Sequence, residues 1–373
     1  HLRVFDDYVK SGEYSKSGIQ NKLTPTFYEV YGKTWGIIGA GAIGGTVAVL
    51  TKNAGYDVSV LCHSEKTKNE INEKGLSLHG AKGELHADFT CYCSADEIGN
   101  EKFDICIIAT KYSAMCETAK AVLPYLKDNS LVVGMQNGIL TEELAEVVGR
   151  NRAGGCVLGF GATRNSPTDV TMTSLGEMYI GMPDGYHPEN LDKLRDMLEA
   201  VLPTAISDNI TRQQYSKLII NSCINATAGI TGKTLGDIID DSRAGKLFLA
   251  IAREGMHVAK AMGINVPKYG KLLEYRLLML MDNAPYNAIC RLIVKLVAKI
   301  KYADVKPSTL QSLERGELTE IDIFNGYIAS KGSEFSVSTP VNTKLTEMIH
   351  EIERGERQIT PDNLDEFKGI LFK

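Results

Sequence analysis

The sequence predicts an α/β protein: an N-terminal doubly wound, parallel-sheet domain followed by an all-α C-terminal domain. Three observations predict it. Short, fully apolar strand segments alternate with helical text from Lys33 onward. A glycine-rich turn, "GAGAIGG", joins the first strand to the first helix. From about Thr211 apolar residues recur at spacings of three and four, the period of a helix. A chain of 373 residues is also long for a single core.

Residues 1–32 are polar with interspersed Tyr and Phe, and read as an extension that packs on the domain or on a partner subunit. "TWGIIG" is the first strand, and "GAGAIGGTVAVLTKNAG" a tight turn and a helix stopped at Gly55. "YDVSVLC" is the next strand, and "FDICIIAT" (103–110) is apolar throughout, as a strand covered on both faces must be. "SAMCETAKAVLPYL" is helical, and "SLVVGMQNG" (130–138) is a strand ending in a polar turn. The alternation breaks over 155–182, where "VTMTSLGEMYIG" reads as strands of a hairpin, and "ENLDKLRDMLEAVL" (189–202) returns to helix. The boundary between the halves falls near residue 207. Beyond it, "KLFLAIAREGMHVAKAMG" and "AICRLIVKLVAKI" carry apolar stripes, the second through Ile289, Leu292, Ile293, Leu296, Val297 and Ile300.

Composition narrows the function classes. At 43% hydrophobic and 23% charged the chain is that of a soluble globular protein. A net charge of −5 argues against nucleic acid and anionic membrane surfaces as partners. No apolar run reaches the ~18 residues of a membrane span, and the N-terminus lacks a basic-then-apolar leader pattern. The eight cysteines are scattered, most of them in apolar text (Cys106, Cys156, Cys223, Cys290), which suits reduced thiols in a cytoplasmic compartment. Cys91 and Cys93 alternate along a strand without a second ligand pair, so no metal site is expected.

Gly39, Gly41 and Gly44 form G-x-G-x-x-G between a strand and a helix, the dinucleotide fingerprint of a Rossmann domain. The first glycine permits the turn, the second lets a pyrophosphate approach the backbone, and the third lets helix and strand pack closely. Helix-start N–H groups and the helix dipole favour a phosphate there, so Gly39, Ala40, Gly41, Ala42, Ile43 and Gly44 are read as cofactor-binding. The second strand ends in Cys62-His63-Ser64, followed by Glu65-Lys66. An acidic residue at that end would accept from the ribose 2′-hydroxyl of NAD(H). The neutral-to-basic His63 and Ser64 instead favour NADP(H). The chain is thus divided into the 1–32 extension, an NADP-binding Rossmann domain over 33–206 and a helical substrate and dimerisation domain over 207–373. "TAGITGKT" (227–234) ends like a phosphate-binding loop, but helical text precedes it and Thr227 stands at its first glycine position.

"YSKLIINSCINATAG" (215–229) puts Lys217, Asn221 and Asn225 on one stripe of an otherwise apolar helix. A buried, unpaired ammonium is penalised by on the order of 3–5 pKa units. Such a lysine therefore needs a carboxylate, a ligand or a wet cleft. The plain alternative is a lysine snorkelling to the surface and amides capping backbone. A helix opening the second domain lies where ligand sites are common.

These residues resemble the ketopantoate reductase family, whose members reduce 2-dehydropantoate to pantoate with NADPH. The resemblance runs from about Lys33 to about His350. It is carried by "GAGAIGG", "MQNG" (135–138), "KLIINSCIN" (217–225), and "LTEIDIFNGYI" (318–328) followed by "TPVN" (339–342). It implies that Lys217 is the catalytic lysine and gives a proton to the carbonyl oxygen. Glu320 matches the acid that positions lysine and substrate, and Asn137 an asparagine beside the nicotinamide ribose and substrate. Asn221 and Asn225 match pocket-lining asparagines, and Ser308 a serine that binds the substrate carboxylate. Lys111 aligns with a basic residue near the adenosine phosphate, and His63 stands where an arginine usually meets the 2′-phosphate. The chemistry fits: hydride addition builds charge on oxygen, and a lysine in a desolvated cleft stabilises and protonates it, typically worth ~10²–10⁴-fold. Glu320 would keep that lysine charged, although an acidic residue opening a helix is also ordinary.

The chain departs from the family around its acid-binding text. In "PSTLQS" (307–312), Pro307, Thr309 and Ser312 replace a serine, a methionine and an aspartate, and Val305 stands for an asparagine of some members. Tyr215 replaces a tryptophan, and the stretch from Gly263 to Ser308 is longer than usual. The leading expectation is NADPH-dependent reduction of a 2-oxo acid, with ketopantoate first. A rival keeps the fold and takes another 2-oxo acid or a secondary alcohol with NAD. A third reading is a dinucleotide-binding regulator without catalysis. The resemblance also implies a homodimer through the helical domain.

Overall fold

The structure, a computed structural model, describes residues 35–268 and 306–371. The 1–32 extension, the Ile289–Ile300 stripe, Cys290 and Val305 lie outside the described residues.

The N-terminal half is a mixed eight-stranded sheet, parallel over its central run. Its first strand β1 (Trp35–Ile38) leads into helix α1 (Ala42–Asn53), then β2 (Val58–Leu61) and α2 (Glu65–Lys74). Next come β3 (Leu76–Gly80), β4 (Leu85–Ala87), β5 (Cys91–Tyr92), β6 (Phe103–Ile108), α3 (Met115–Val122) and β7 (Leu126–Gly134). They are followed by α4 (Thr141–Val148), β8 (Ala153–Val157), β9 (Ala162–Ser166), β10 (Asp169–Met172), β11 (Met178–Gly181), α5 (Glu189–Leu198) and β12 (Thr204–Ile206). The main sheet runs β12-β11-β8-β7-β6-β1-β2-β5. β2 and β6 flank β1 in parallel register, Ile37 opposite both Val60 and Ile107. The chain leaves β1 to one side for β2 and returns on the other at β6. That reversal opens a crevice at the carboxyl ends of β1 and β6, where such sheets bind ligands. The core strands are apolar because both faces are covered: Ile37, Ile105, Ile107, Leu131 and Val133 are all fully buried.

A second sheet, β4-β3-β10-β9, packs across α1, with Val170 against Gly45. It corrects the expectation for "VTMTSLGEMYIG". That stretch does not hold both strands of a hairpin, because β10 and β11 lie in different sheets. It is the returning arm of a longer hairpin whose outgoing arm is β8 and β9: β8 pairs antiparallel with β11, and β9 with β10. The ribbon passes from one sheet to the other where Gly159 meets Glu177. A Cβ on Gly159 would lie 1.9 Å from the Glu177 carbonyl oxygen. Local periodicity carries no record of which sheet a strand joins.

The C-terminal half is helical: α6 (Ile210–Thr231), α7 (Leu235–Asp240), α8 (Ser242–Ala261), α9 (Ser308–Glu314), α10 (Asn325–Glu334) and α11 (Pro340–Glu353), then a 3₁₀ turn and α12 (Lys368–Leu371). The Asn209 side chain accepts from Arg212 N and starts α6, and Gly232 (φ +71°) ends it in the left-handed conformation. "TAGITGKT" spans the end of α6 and the Thr234 cap of α7, so a helix precedes it where a phosphate loop follows a strand. α6 is apolar nearly all round because it is the central helix, packed on α8, α9, α11 and strand β8. It is where sheet and helices meet. Tyr215 points away from the sheet into the helical core, its hydroxyl donating to Gly255 O at 3.1 Å.

Candidate active site

The glycine turn lies at the mouth of the crevice. Gly39 (φ +106°) takes a conformation closed to side chains, with the Ala109 backbone 2.9 Å from where a Cβ would sit. A Cβ on Gly44 would lie 1.9 Å from Gly39 O, so the start of α1 presses directly on the turn. At Gly41 an added Cβ would meet nothing within 4 Å. That open side, at the N-terminus of α1, fits a pyrophosphate. Ala40 is buried beneath the turn, while Ala42 and Ile43 keep partial exposure on its rim.

At the end of β2, His63 is exposed, and Ser64 Oγ accepts from Thr67 N at 3.2 Å to cap α2. Lys68 binds Glu65 at 2.8 Å and Glu97 at 2.9 Å, and Cys93 donates to Glu65 at 2.8 Å. Glu65 is thus engaged by protein groups, and the Lys68 charge is neutralised. Lys111, past the end of β6, is exposed and pairs with Glu317 at 3.4 Å, tying the sheet's edge to the helical half.

On α6, residues 217, 221 and 224 keep partial exposure while most of the helix is buried. This is one stripe at spacings of four and three, and it faces the junction of the two halves. Lys217 Nζ donates to Leu158 O at 2.9 Å, a carbonyl next to the crossover of the ribbon. Burial pulls the lysine down to about 8, against the charges of Cys156 and Glu320, which raise it. Among the described residues no hydrogen bond engages the Asn221 side chain. Asn225 Oδ1 accepts from Ser308 Oγ at 3.0 Å and Thr309 N at 3.3 Å, so it caps α9. Ser308 is therefore held beside the stripe by a pocket amide.

Glu320 reaches the same place from the other end of the chain. Its Oε2 accepts from Asn137 Nδ2 at 3.3 Å. Burial raises its pKa, while the Asn137 hydrogen bond and the charges of Lys217 and Lys111 lower it. No ion pair joins Glu320 to Lys217 directly. Asn137 is placed by the turn after β7. Gly138 (φ +86°) lets that turn sit against Ile323, 3.2 Å from a Cβ it lacks. The structure thus brings Asn137, Glu320 and Lys217 together, with Asn221 one turn along α6 from the lysine and the Asn225–Ser308 contact two turns along it.

Three contributors escape a reading of the residues in sequence. The Leu158 carbonyl is a backbone group, so no side-chain pattern marks it. Ile224 reads as core until its partial exposure puts it on the open stripe. Gln136 donates through Nε2 to Ile108 O and Thr110 O, both at 3.1 Å, and so fixes the loop after β6 to the Asn137 turn. Its place in "MQNG" was the available signal.

Comparison with known proteins gives the family. The family model described as "Ketopantoate reductase PanE/ApbA" matches residues 35–185, and the one for its C-terminal part matches 209–353. The chain belongs to the ketopantoate reductase family. Relatives of this ketopantoate reductase family member include the 2-dehydropantoate 2-reductase of Archaeoglobus fulgidus. It is 28% identical over 320 residues, covering 86% of this chain and 97% of the relative. The enzyme of that name from Pyrococcus abyssi is 28% identical over 316 residues, covering 84% and 95%. Two solved structures share the fold: a PanE/ApbA family ketopantoate reductase from Ralstonia eutropha and a D-mandelate dehydrogenase with NADH and anilino(oxo)acetate. The first has TM-score 0.73 and 22% identity over 87% of this chain and 100% of its own. The second has TM-score 0.74 and 24% identity over 87% and 99%. Membership makes the protein an NAD(P)-dependent oxidoreductase acting on CH–OH groups. Among the described residues no helix is long and apolar enough to cross a membrane.

Proposed function

We propose that this protein reduces a 2-oxo acid with NADP(H), 2-dehydropantoate to pantoate first among the candidates, with Lys217 as proton donor. The observation that carries the reading is the Lys217 ammonium at the junction of the halves. It is held by Leu158 O, flanked by the unengaged Asn221, and lies within reach of the Glu320 charge. Residues 33–206 act as the cofactor domain and 207–373 as the substrate and dimerisation domain of a cytoplasmic homodimer.

The glycine turn fits a dinucleotide: Gly41 is open to a pyrophosphate, and Gly39 and Gly44 hold the backbone at the helix start. When bound, the reduced nicotinamide supplies the hydride. This chain's residues do the rest. Lys217, poised at about 8, carries its proton at neutral pH and gives it up more readily than an ordinary lysine. The Leu158 carbonyl takes one of its three N–H directions, leaving others for the substrate oxygen. Asn137 holds the Glu320 carboxylate, whose charge keeps the lysine cationic despite burial. Asn221 and the Asn225 amide nitrogen offer donors to hydroxyl and carboxylate oxygens, Ser308, whose proton goes to Asn225, offers an acceptor to a hydroxyl, and Ile224 supplies an apolar wall.

The preference for NADP(H) rests on the end of β2. His63 is exposed there, and Glu65 is held by Lys68 and Cys93 rather than offered to a ribose hydroxyl.

The altered text at 307–312 and the fold shared with D-mandelate dehydrogenase favour one second reading: another 2-oxo acid or a secondary alcohol, with NAD(H). Consumption of NADPH and NADH with 2-dehydropantoate and a panel of 2-oxo acids decides. Turnover with another acid but none with 2-dehydropantoate selects the second reading. Tight cofactor binding with no turnover across the panel leaves only a non-catalytic dinucleotide-binding regulator.

A further inference from the structure

The turn that carries Glu320 hangs from α11. Immediately before Glu320, Thr319 N donates to Glu353 Oε1 at 2.7 Å. Two residues after it, the Asp322 carboxylate meets His350 Nε2 at 2.9 Å. The other ring nitrogen of His350, Nδ1, meets Glu353 Oε2 at 2.7 Å. Both nitrogens therefore face carboxylate oxygens, which only accept. A neutral imidazole has one N–H and would leave one contact repulsive, so the ring is an imidazolium. Within the turn, Ile321 N donates to Thr319 Oγ1 at 3.2 Å, and Ile323 N to Glu320 O at 3.2 Å. Further on, Asn325 Nδ2 donates to Asn342 Oδ1 at 3.0 Å, a second tie to the start of α11.

We propose that His350 is a positioning residue for Glu320: as a cation it ties Asp322 to Glu353 and fixes the turn that offers the Glu320 carboxylate to Asn137 and Lys217. This rests on the reading of Lys217 and Glu320 as the working pair. Among the described residues the carboxylate has one side-chain tether, the 3.3 Å bond from Asn137. Its backbone must be placed by something else, and the His350 bridge supplies that from a helix that does not enter the site. Misplacement of a reacting group by about 1 Å can cost on the order of 100-fold in rate.

The test is a double-mutant cycle on the full-length enzyme, using the 2-oxo acid that the wild type turns over. His350→Gln is neutral and lacks the ring's two separate donor nitrogens, so it cannot reproduce the bridge between the two carboxylates. It is expected to lower kcat about tenfold and leave the NADPH dissociation constant within about twofold. Asp322→Asn removes one charge at the more exposed end of the bridge, guards against a variant that fails to fold, and should lower kcat in the same direction. In a Glu320→Gln background, His350→Gln should bring almost no further loss, because the group it positions is gone. An unchanged kcat in His350→Gln overturns the proposal, and so does an equal loss with and without Glu320. If Glu320→Gln alone keeps wild-type turnover, the reading of the working pair fails instead.

Discussion

Asn137 Nδ2 donates to Glu320 Oε2 at 3.3 Å, joining residues 183 positions apart. One lies in the turn after the central strand β7, the other in a turn between helices of the second half. The bond makes the Glu320 carboxylate common to both halves, and Lys217 stands on the helix between them.

Lys217→Ala should abolish turnover while leaving cofactor binding intact. The ammonium contacts Leu158 O and not the glycine turn. Losing the proton donor is expected to lower kcat ~10²–10⁴-fold. Fluorescence titration with NADPH should give the wild-type dissociation constant. Unimpaired turnover removes Lys217 as donor.

The reductive rate should fall as pH rises through about 8, where Lys217 loses its proton. The oxidative direction needs a base and should rise over the same range. Glu320 raises the lysine's pKa, so Glu320→Gln should move the alkaline limb of the reductive profile to lower pH. Profiles of kcat/KM in both directions check the sign.

Gly138→Ala should damage both stability and rate. The position has φ +86°, and its Cβ would crowd Ile323 at 3.2 Å. Such strain costs about 1–3 kcal/mol. Relief of that strain would move Asn137 off Glu320, so kcat should fall further than the melting shift explains. A variant with a lowered melting point and normal kcat would show that this turn does not place Asn137.

Under the proposed NADP(H) preference, His63 sets the cofactor choice. His63→Arg should raise the NADPH-over-NADH ratio of kcat/KM roughly tenfold, about 1.4 kcal/mol. His63→Asp should lower it by a similar factor, since a carboxylate repels a 2′-phosphate and accepts from a 2′-hydroxyl. Equal ratios in all three proteins would place the determinant elsewhere.

Much of this was legible in one dimension. The apolar run at 103–108, the glycine spacing at 39, 41 and 44, and the helix stop at Gly55 (φ +92°) are local events, set by residues within a turn or two. So is the stripe of Lys217, Asn221 and Asn225, because helical period alone aligns it. The resemblance to a family added roles to residues whose neighbours the text does not name.

What the chain could not state by itself is which distant groups meet. The partner of Lys217 is the Leu158 carbonyl, not a carboxylate, because the ribbon crosses between sheets at Gly159 and leaves that oxygen facing α6. The two strands in "VTMTSLGEMYIG" belong to different sheets for the same reason. The sequence by itself determined the elements and the chemistry carried on each. That Asn137 bonds Glu320 and Lys217 lies in range of its charge is a matter of tertiary structure, since it depends on packing between the halves and not on any local preference of the chain.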